Sequence, residues 1–231
     1  MILLLLACTS RPELVVLSGT IFESGSEDSV VADAQVRVLD FALEEVDAVA
    51  ADSEGAFAAQ ARFGSYVFLD LSADGYARTG FTGTVGMTDY AIPDGVLWMR
   101  TESELDALKS SFEGCPLLEQ GGAVEGEILM ALPQDGVMMK TFVETGWARV
   151  VSEDGEEVEA CYLDEDGLYD PEAVYTGPTG RFLIPNVSGK VQLWVGYDLG
   201  ETPMYESYST VFVPDGGVSS LYDSLWMPLP S

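Results

Sequence analysis

The sequence predicts an all-β protein of two tandem β-sandwiches joined by a short helix. Three observations lead there. Turn sequences at Ser53-Glu54-Gly55, Asp74-Gly75, Asp135-Gly136, Asp154-Gly155 and Pro214-Asp215-Gly216-Gly217 cut the chain into short pieces. Stretches such as Gln35-Val36-Arg37-Val38 and Val191-Gln192-Leu193-Trp194-Val195 alternate polar and apolar, the period of a half-buried strand. Turns about every 8 to 12 residues favour an antiparallel sandwich over a parallel α/β sheet. Finally, the 231-residue chain repeats itself.

Gly55-Ala56-Phe57 returns as Gly180-Arg181-Phe182, Gly64-Ser65-Tyr66 as Gly189-Lys190-Val191, and Gly75 as Gly200, all at an offset of 125. Gly19-Thr20-Ile21 matches Gly126-Glu127-Ile128, and Ala34 to Val38 matches Trp147 to Val151 less tightly. Pro93-Asp94-Gly95 is echoed by Pro214-Asp215-Gly216, and Leu97-Trp98-Met99 by Leu225-Trp226-Met227, at offsets of 121 and 128. Between the copies, Thr101 and Glu104 form a capping box, and Leu105, Leu108 and Phe112 recur at helical spacing. Gly114 and Pro116 are stop signals, so a helix is predicted from Glu102 to Glu113, its apolar stripe packed on a sandwich edge.

Composition narrows the function. Asp and Glu number 39 against 10 Lys and Arg, a net charge of −29, which repels phosphate backbones and excludes nucleic acid as a partner. There is no histidine, which removes Ser-His-Asp and Cys-His nucleophiles, His bases and His-ligated zinc. Paired carboxylates are plentiful, but their abundance in so acidic a chain singles out no pair, and the chain is not expected to be an enzyme.

Two resemblances follow from particular residues. Ile2 to Leu6, Ala7 and Cys8 resemble the lipobox of bacterial lipoproteins, Leu-x-small-Cys, which implies a mature chain lipid-anchored at Cys8 with Thr9 to Pro12 as a tether. The order Gly19, Asp33-Ala34-x-Val36-x-Val38, Asp52-x-x-Gly55-x-Phe57, Gly64-x-Tyr66 and Ser72-Ala73-x-Gly75-Tyr76 resembles the carboxypeptidase regulatory-like domain. That resemblance implies Greek-key transthyretin/Ig-like sandwiches, mostly non-catalytic appendages of secreted or surface proteins. The expected organisation is a signal remnant and tether over 1–12, a first sandwich over 13–100, a helical connector over 101–116 and a second sandwich over 117–231. In the first copy, a core-facing alternation from Tyr66 and Phe68 would turn Asp70 inward, so Asp70 is expected at a strand end or hydrogen-bonded.

With Cys8 lipidated, Cys115 and Cys161 remain as a disulfide pair in an oxidising compartment, two buried free thiols being the alternative. The second copy is also longer: Ala148 to Gly180 spans 32 residues where Ala34 to Gly55 spans 21. This insertion, within Val151 to Tyr175, holds ten carboxylates and no Lys or Arg. Asp164, Asp166, Asp170 and Glu172 have the oxygen-rich spacing of a Ca²⁺ site, although not that of an EF-hand; a solvated acidic loop is the other reading. Trp147, Tyr162, Tyr169 and Tyr175 flank it, with Trp194, Tyr197, Tyr205 and Tyr208 on the strands that follow. The expected function is that of a non-catalytic envelope lipoprotein, anchored in the outer membrane and periplasmic or surface-exposed, meeting another envelope protein or a glycan. The alternative is a calcium-assisted carbohydrate- or protein-binding adhesion module centred on the insertion.

Overall fold

Alternation decides the first strands. β1 (Leu14–Glu23) buries Val15, Leu17 and Ile21, and β2 (Gln35–Leu39) buries Val36 and Val38 while Gln35 and Arg37 face water. β3 (Glu45–Ala50), β4 (Ala56–Arg62), β5 (Ser65–Ser72), β6 (Thr79–Val85), β7 (Tyr90–Ala91) and β8 (Leu97–Met99) complete the first half. The computed structural model of the chain describes residues 14–26, 28–115, 121–134, 137–199 and 202–227. One sheet of the first half sets β1 between antiparallel β4 and parallel β7 and β8; the other runs β3-β2-β5-β6. Their facing sides enclose a core that includes Leu17, Ile21, Val36, Val38, Phe57, Leu69, Leu71 and Leu97.

Helix α1 (Glu102–Ser111) follows, two residues shorter than its sequence pattern extends. The capping box forms: Glu104 N–H donates to Thr101 Oγ1 at 3.2 Å, and Thr101 N–H donates back to Glu104 Oε2 at 2.8 Å. Gly114, at φ +97°, turns the chain away just past the helix end.

The second half repeats the first with additions. Its strands are β9 (Gly122–Gln134), β10 (Val137–Phe142), β11 (Gly146–Val151), β12 (Glu157–Glu159), β13 (Cys161–Leu163), β14 (Tyr169–Asp170), β15 (Arg181–Val187), β16 (Gly189–Leu199), β17 (Thr202–Val213) and β18 (Val218–Met227). Within it β15-β9-β18 repeats β4-β1-β7/β8, and β12-β11-β16-β17 repeats β3-β2-β5-β6, around a second core that includes Ile128, Ala148, Val150, Phe182 and Leu193. The chain is thus two tandem Greek-key β-sandwiches.

The repeat holds at the level of register. Gly19 stands opposite Phe57 and Gly126 opposite Phe182, and in each a Cβ on the glycine would press on the phenylalanine ring that fills the core. Ile21 N–H donates to Gly55 O at 3.0 Å and Ile128 N–H to Gly180 O at 2.9 Å. Leu97-Trp98-Met99 lies parallel to Ile21-Phe22-Glu23, and Leu225-Trp226-Met227 parallel to Ile128-Leu129-Met130. One sequence match does not survive. Pro93-Asp94-Gly95 lies between β7 and β8, whereas Pro214-Asp215-Gly216 precedes all of β18. Pro-Asp-Gly is a generic turn sequence, used here at two different points of the fold.

β5 also corrects an expectation. Its core face carries Val67, Leu69 and Leu71, while Tyr66 is exposed and Phe68 and Asp70 point to the opposite side. Phe68 and Asp70 are buried all the same, because the second half covers that side. Phe68 packs with Leu39 and Phe212, the Phe68 and Phe212 ring centroids 5.8 Å apart.

Candidate functional site

The insertion builds a β-hairpin. β13 and β14 pair with each other and extend the sheet beyond β15, with Tyr162 opposite Asp170 on one side and Phe182 on the other. Asp164 shapes the turn: its Oδ1 accepts from the backbone N–H groups of Asp166 and Leu168, both at 2.9 Å, and Gly167 takes φ +77°. Asp170 Oδ1 likewise accepts from Glu172 N–H at 2.9 Å. One oxygen of Asp164 and one of Asp170 are thereby turned to the loop's own amides. Asp164, Asp166, Asp170 and Glu172 do not form a ligand cluster, and among the described residues no three Cys, Asp or Glu gather at metal-binding distance. The sequence spacing is that of a tight hairpin, which sets Asp164 at the tip and Asp170 farther down the returning strand.

Cys161, the first residue of this hairpin, is bonded to Cys115 with their Cα atoms 6.1 Å apart. The disulfide sits among Leu108, Phe112, Leu163 and Leu183. It therefore ties the end of α1 to the outer side of the β13-β15 sheet, where the apolar stripe of the helix packs as expected. Cys8 lies outside the described residues.

The flanking aromatics divide. Tyr162 and Tyr197 are buried in the second core with Tyr205 partly buried against it, and Tyr169 packs by the disulfide. Tyr162 donates to Ala148 O at 3.2 Å and accepts from Ala148 N–H at 3.0 Å, and burial pushes its hydroxyl up to about 12. Tyr175 donates to Asp198 Oδ2 at 3.1 Å, a bond that also raises the Tyr175 pKa. On the outer face of β11, β16 and β17, the Trp194 and Tyr208 rings lie tilted with centroids 4.8 Å apart, and the Arg149 guanidinium lies 5.2 Å from the Trp147 ring and 5.8 Å from that of Trp194.

The most constrained groups lie where the sandwiches meet. β18 pairs with β9 along its length and, at Val218 and Ser219, with Thr79 and Gly80 of β6, all in parallel. One sheet of ten strands thereby runs through both halves. Gly80 is required by proximity: a Cβ there would strike Phe212 O, Ser219 Oγ and the Pro214 ring. Two fully buried carboxylates mark the seam. Asp70 takes Arg78 on both oxygens, at 2.7 and 2.6 Å, and Arg37 at 2.9 Å. Glu125 accepts from Arg100 Nε at 2.9 Å and from the Ser220 hydroxyl. The hydrogen bond to Asp70, and after it the Asp70 charge, raise the Arg78 pKa. Lys190 closes the far side, donating to Phe41 O at 3.0 Å with its ammonium 4.1 Å from the Phe41 ring centroid. The expectation that Asp70 is hydrogen-bonded holds, although it faces away from the first core; Glu125, flanked by Val124 and Gly126, carries no comparable signal.

The chain matches no protein-family model and no curated protein. Among solved structures it is similar to the Bacillus anthracis TIE protein, at 13% identity over 94% of this chain with a TM-score of 0.33. It spans 33% of that protein's length. It is similar also to a shaft pilin of Lactobacillus rhamnosus GG, at 8% identity over 95% of this chain and 98% of the pilin, TM-score 0.24. The minor pilin of Streptococcus agalactiae shares 9% identity over 94% of this chain and 97% of that one, TM-score 0.27.

Proposed function

We propose that this chain is a non-catalytic structural and interaction module of the bacterial cell envelope, held to the outer membrane by a lipid on Cys8 and facing the periplasm or the exterior. Its sandwiches are of the carboxypeptidase regulatory-like type, and they work as one rigid piece. The Cys115–Cys161 disulfide carries this reading. A bond of that kind persists in an oxidising compartment, and here it locks connector to sandwich. The buried carboxylates agree with an architectural use, since Asp70 and Glu125 are each held by arginine at the seam. The surface, at a net −29, keeps such a module away from anionic headgroups and directs contact to other proteins or glycans.

The test is to express the full chain in a bacterial host fed labelled palmitate, then fractionate the cells and titrate free thiols. Label and outer-membrane partition, both lost in Cys8→Ser, with no free Cys115 or Cys161 thiol, are expected. An unlabelled, reduced protein in the cytosol would overturn the proposal.

A further inference from the structure

A cleft of about 880 Å³ opens at the junction of the two sandwiches, with no hairpin residue in its lining. Its floor comes from the outer side of the first sandwich, where Phe22 on β1 and Trp98 on β8 are parallel-strand partners, both half-buried. Their neighbours Ile21, Leu97 and Met99 point into the core, so strand alternation leaves these two rings outward as a pair. Arg100 lies 5.1 Å from the Trp98 ring, its guanidinium also bonded to Glu125. From the second sandwich comes Arg181 on β15, opposite Glu127 on β9. Glu23, whose Oε2 accepts from Tyr76 at 2.7 Å, and Asp94 complete the rim.

Two features of this cleft set it apart from the rest of the surface. Two of the ten Lys and Arg residues of the chain line it beside Glu23 and Asp94, with Arg100 paired also to the buried Glu125, so cationic side chains are concentrated here within a chain of net charge −29. It also joins a two-ring apolar floor to planar side chains that each donate or accept two hydrogen bonds at once. Its volume is that of a small-ligand site, on the scale of a few hundred to about 1,000 Å³.

The geometry points to a binding site for a neutral oligosaccharide in this cleft, with a pyranose ring laid on Phe22 and Trp98. A pyranose has C–H faces that suit an aromatic floor. Its rim of vicinal hydroxyls suits Arg181, Asp94 and Glu23. An acidic polysaccharide is opposed by the charge of the whole chain. The inference deepens the reading of the chain as an interaction module and rests on it, but it needs both sandwiches in place and makes no use of Cys8.

The purified full chain, disulfide intact, is titrated calorimetrically with cellohexaose, maltohexaose and laminarihexaose, and with oligogalacturonate as the acidic counterpart. Binding of at least one neutral hexasaccharide at millimolar concentration or below is expected. Trp98→Ala and Arg181→Gln should each weaken it about tenfold or more, with Trp194→Ala on the other face unchanged and circular dichroism confirming the folds. Absence of binding by all three neutral sugars, binding of oligogalacturonate instead, or undiminished binding by a folded Arg181→Gln variant would overturn the inference. Labelling of Cys8 is scored separately, so loss of the anchor and loss of the sugar site are told apart.

Discussion

Asp70 shows how one carboxylate can be buried when two arginines meet it. Its side chain is 1% exposed, while those of Arg37 and Arg78 remain 44% and 38% exposed. A buried charge whose partners can still turn to water is a milder liability than a fully enclosed pair. Asp70→Ala is therefore expected to lower the unfolding free energy by about 2 kcal/mol, below the usual cost of breaking a buried pair; urea denaturation measures it. Tyr162 supplies a pH dependence. Its hydroxyl titrates near 10 when exposed and near 12 in the folded chain, so the folded state holds the proton more tightly. The stability this gives is complete below pH 10 and is lost as pH rises from about 10 to about 12. Tyr162→Phe should flatten the alkaline decline in that window. At neutral pH it should cost about 1–3 kcal/mol by leaving the Ala148 N–H unpartnered, and melts from pH 8 to 11.5 test both effects.

At the scale of elements, the hairpin β13-β14 depends on its staple. It is a two-stranded addition at a sheet edge, and such ribbons have little stability of their own. The bond between Cys115 and Cys161 closes 46 residues of chain, so by loop-closure entropy its reduction is expected to cost about 4 kcal/mol. Hydrogen exchange after reduction should show α1 and the hairpin opening while β4, β5 and β16 stay protected. These elements were largely legible from residue pattern: α1 from Thr101, Glu104 and the Leu108–Phe112 stripe, and the cysteine pair once Cys8 was set aside by its resemblance to a lipobox cysteine. The hairpin was not. Asp164-x-Asp166-Gly167 fits both a cation loop and a turn, and only the route of the backbone shows that Asp164 caps amides. Alternation likewise announced that β5 has two faces, but the choice between Val67 and Phe68 for the core follows from what covers the second face.

Over the whole molecule, the two halves share a sheet, a disulfide-bound connector and the Arg100–Glu125 pair, and one cooperative transition is expected on heating. The seam is the place to break that coupling. Gly80→Val drives a side chain into Phe212 O and Ser219 Oγ while leaving both cores untouched. Calorimetry should then resolve two transitions in place of one, with the first half melting earlier. The repeat predicted two copies of one fold, and the registers of Gly19 with Phe57 and Gly126 with Phe182 bear it out residue by residue. How the copies meet was beyond the repeat, because the contact of β6 with β18 joins strands that are not equivalent in the two copies.

That contact also imposes an order in time. β6 is made early, yet the strand that covers its edge, β18, is the last of the described strands, so during synthesis the edge stands open on the order of ten seconds. An uncovered edge will pair with any strand nearby, including the same edge of another growing chain. The composition of β6, Thr79-Gly80-Phe81-Thr82-Gly83-Thr84-Val85, answers that hazard. Its two glycines make it a weaker template while it waits, and Gly80 at the same time leaves the room that Ser219 will need.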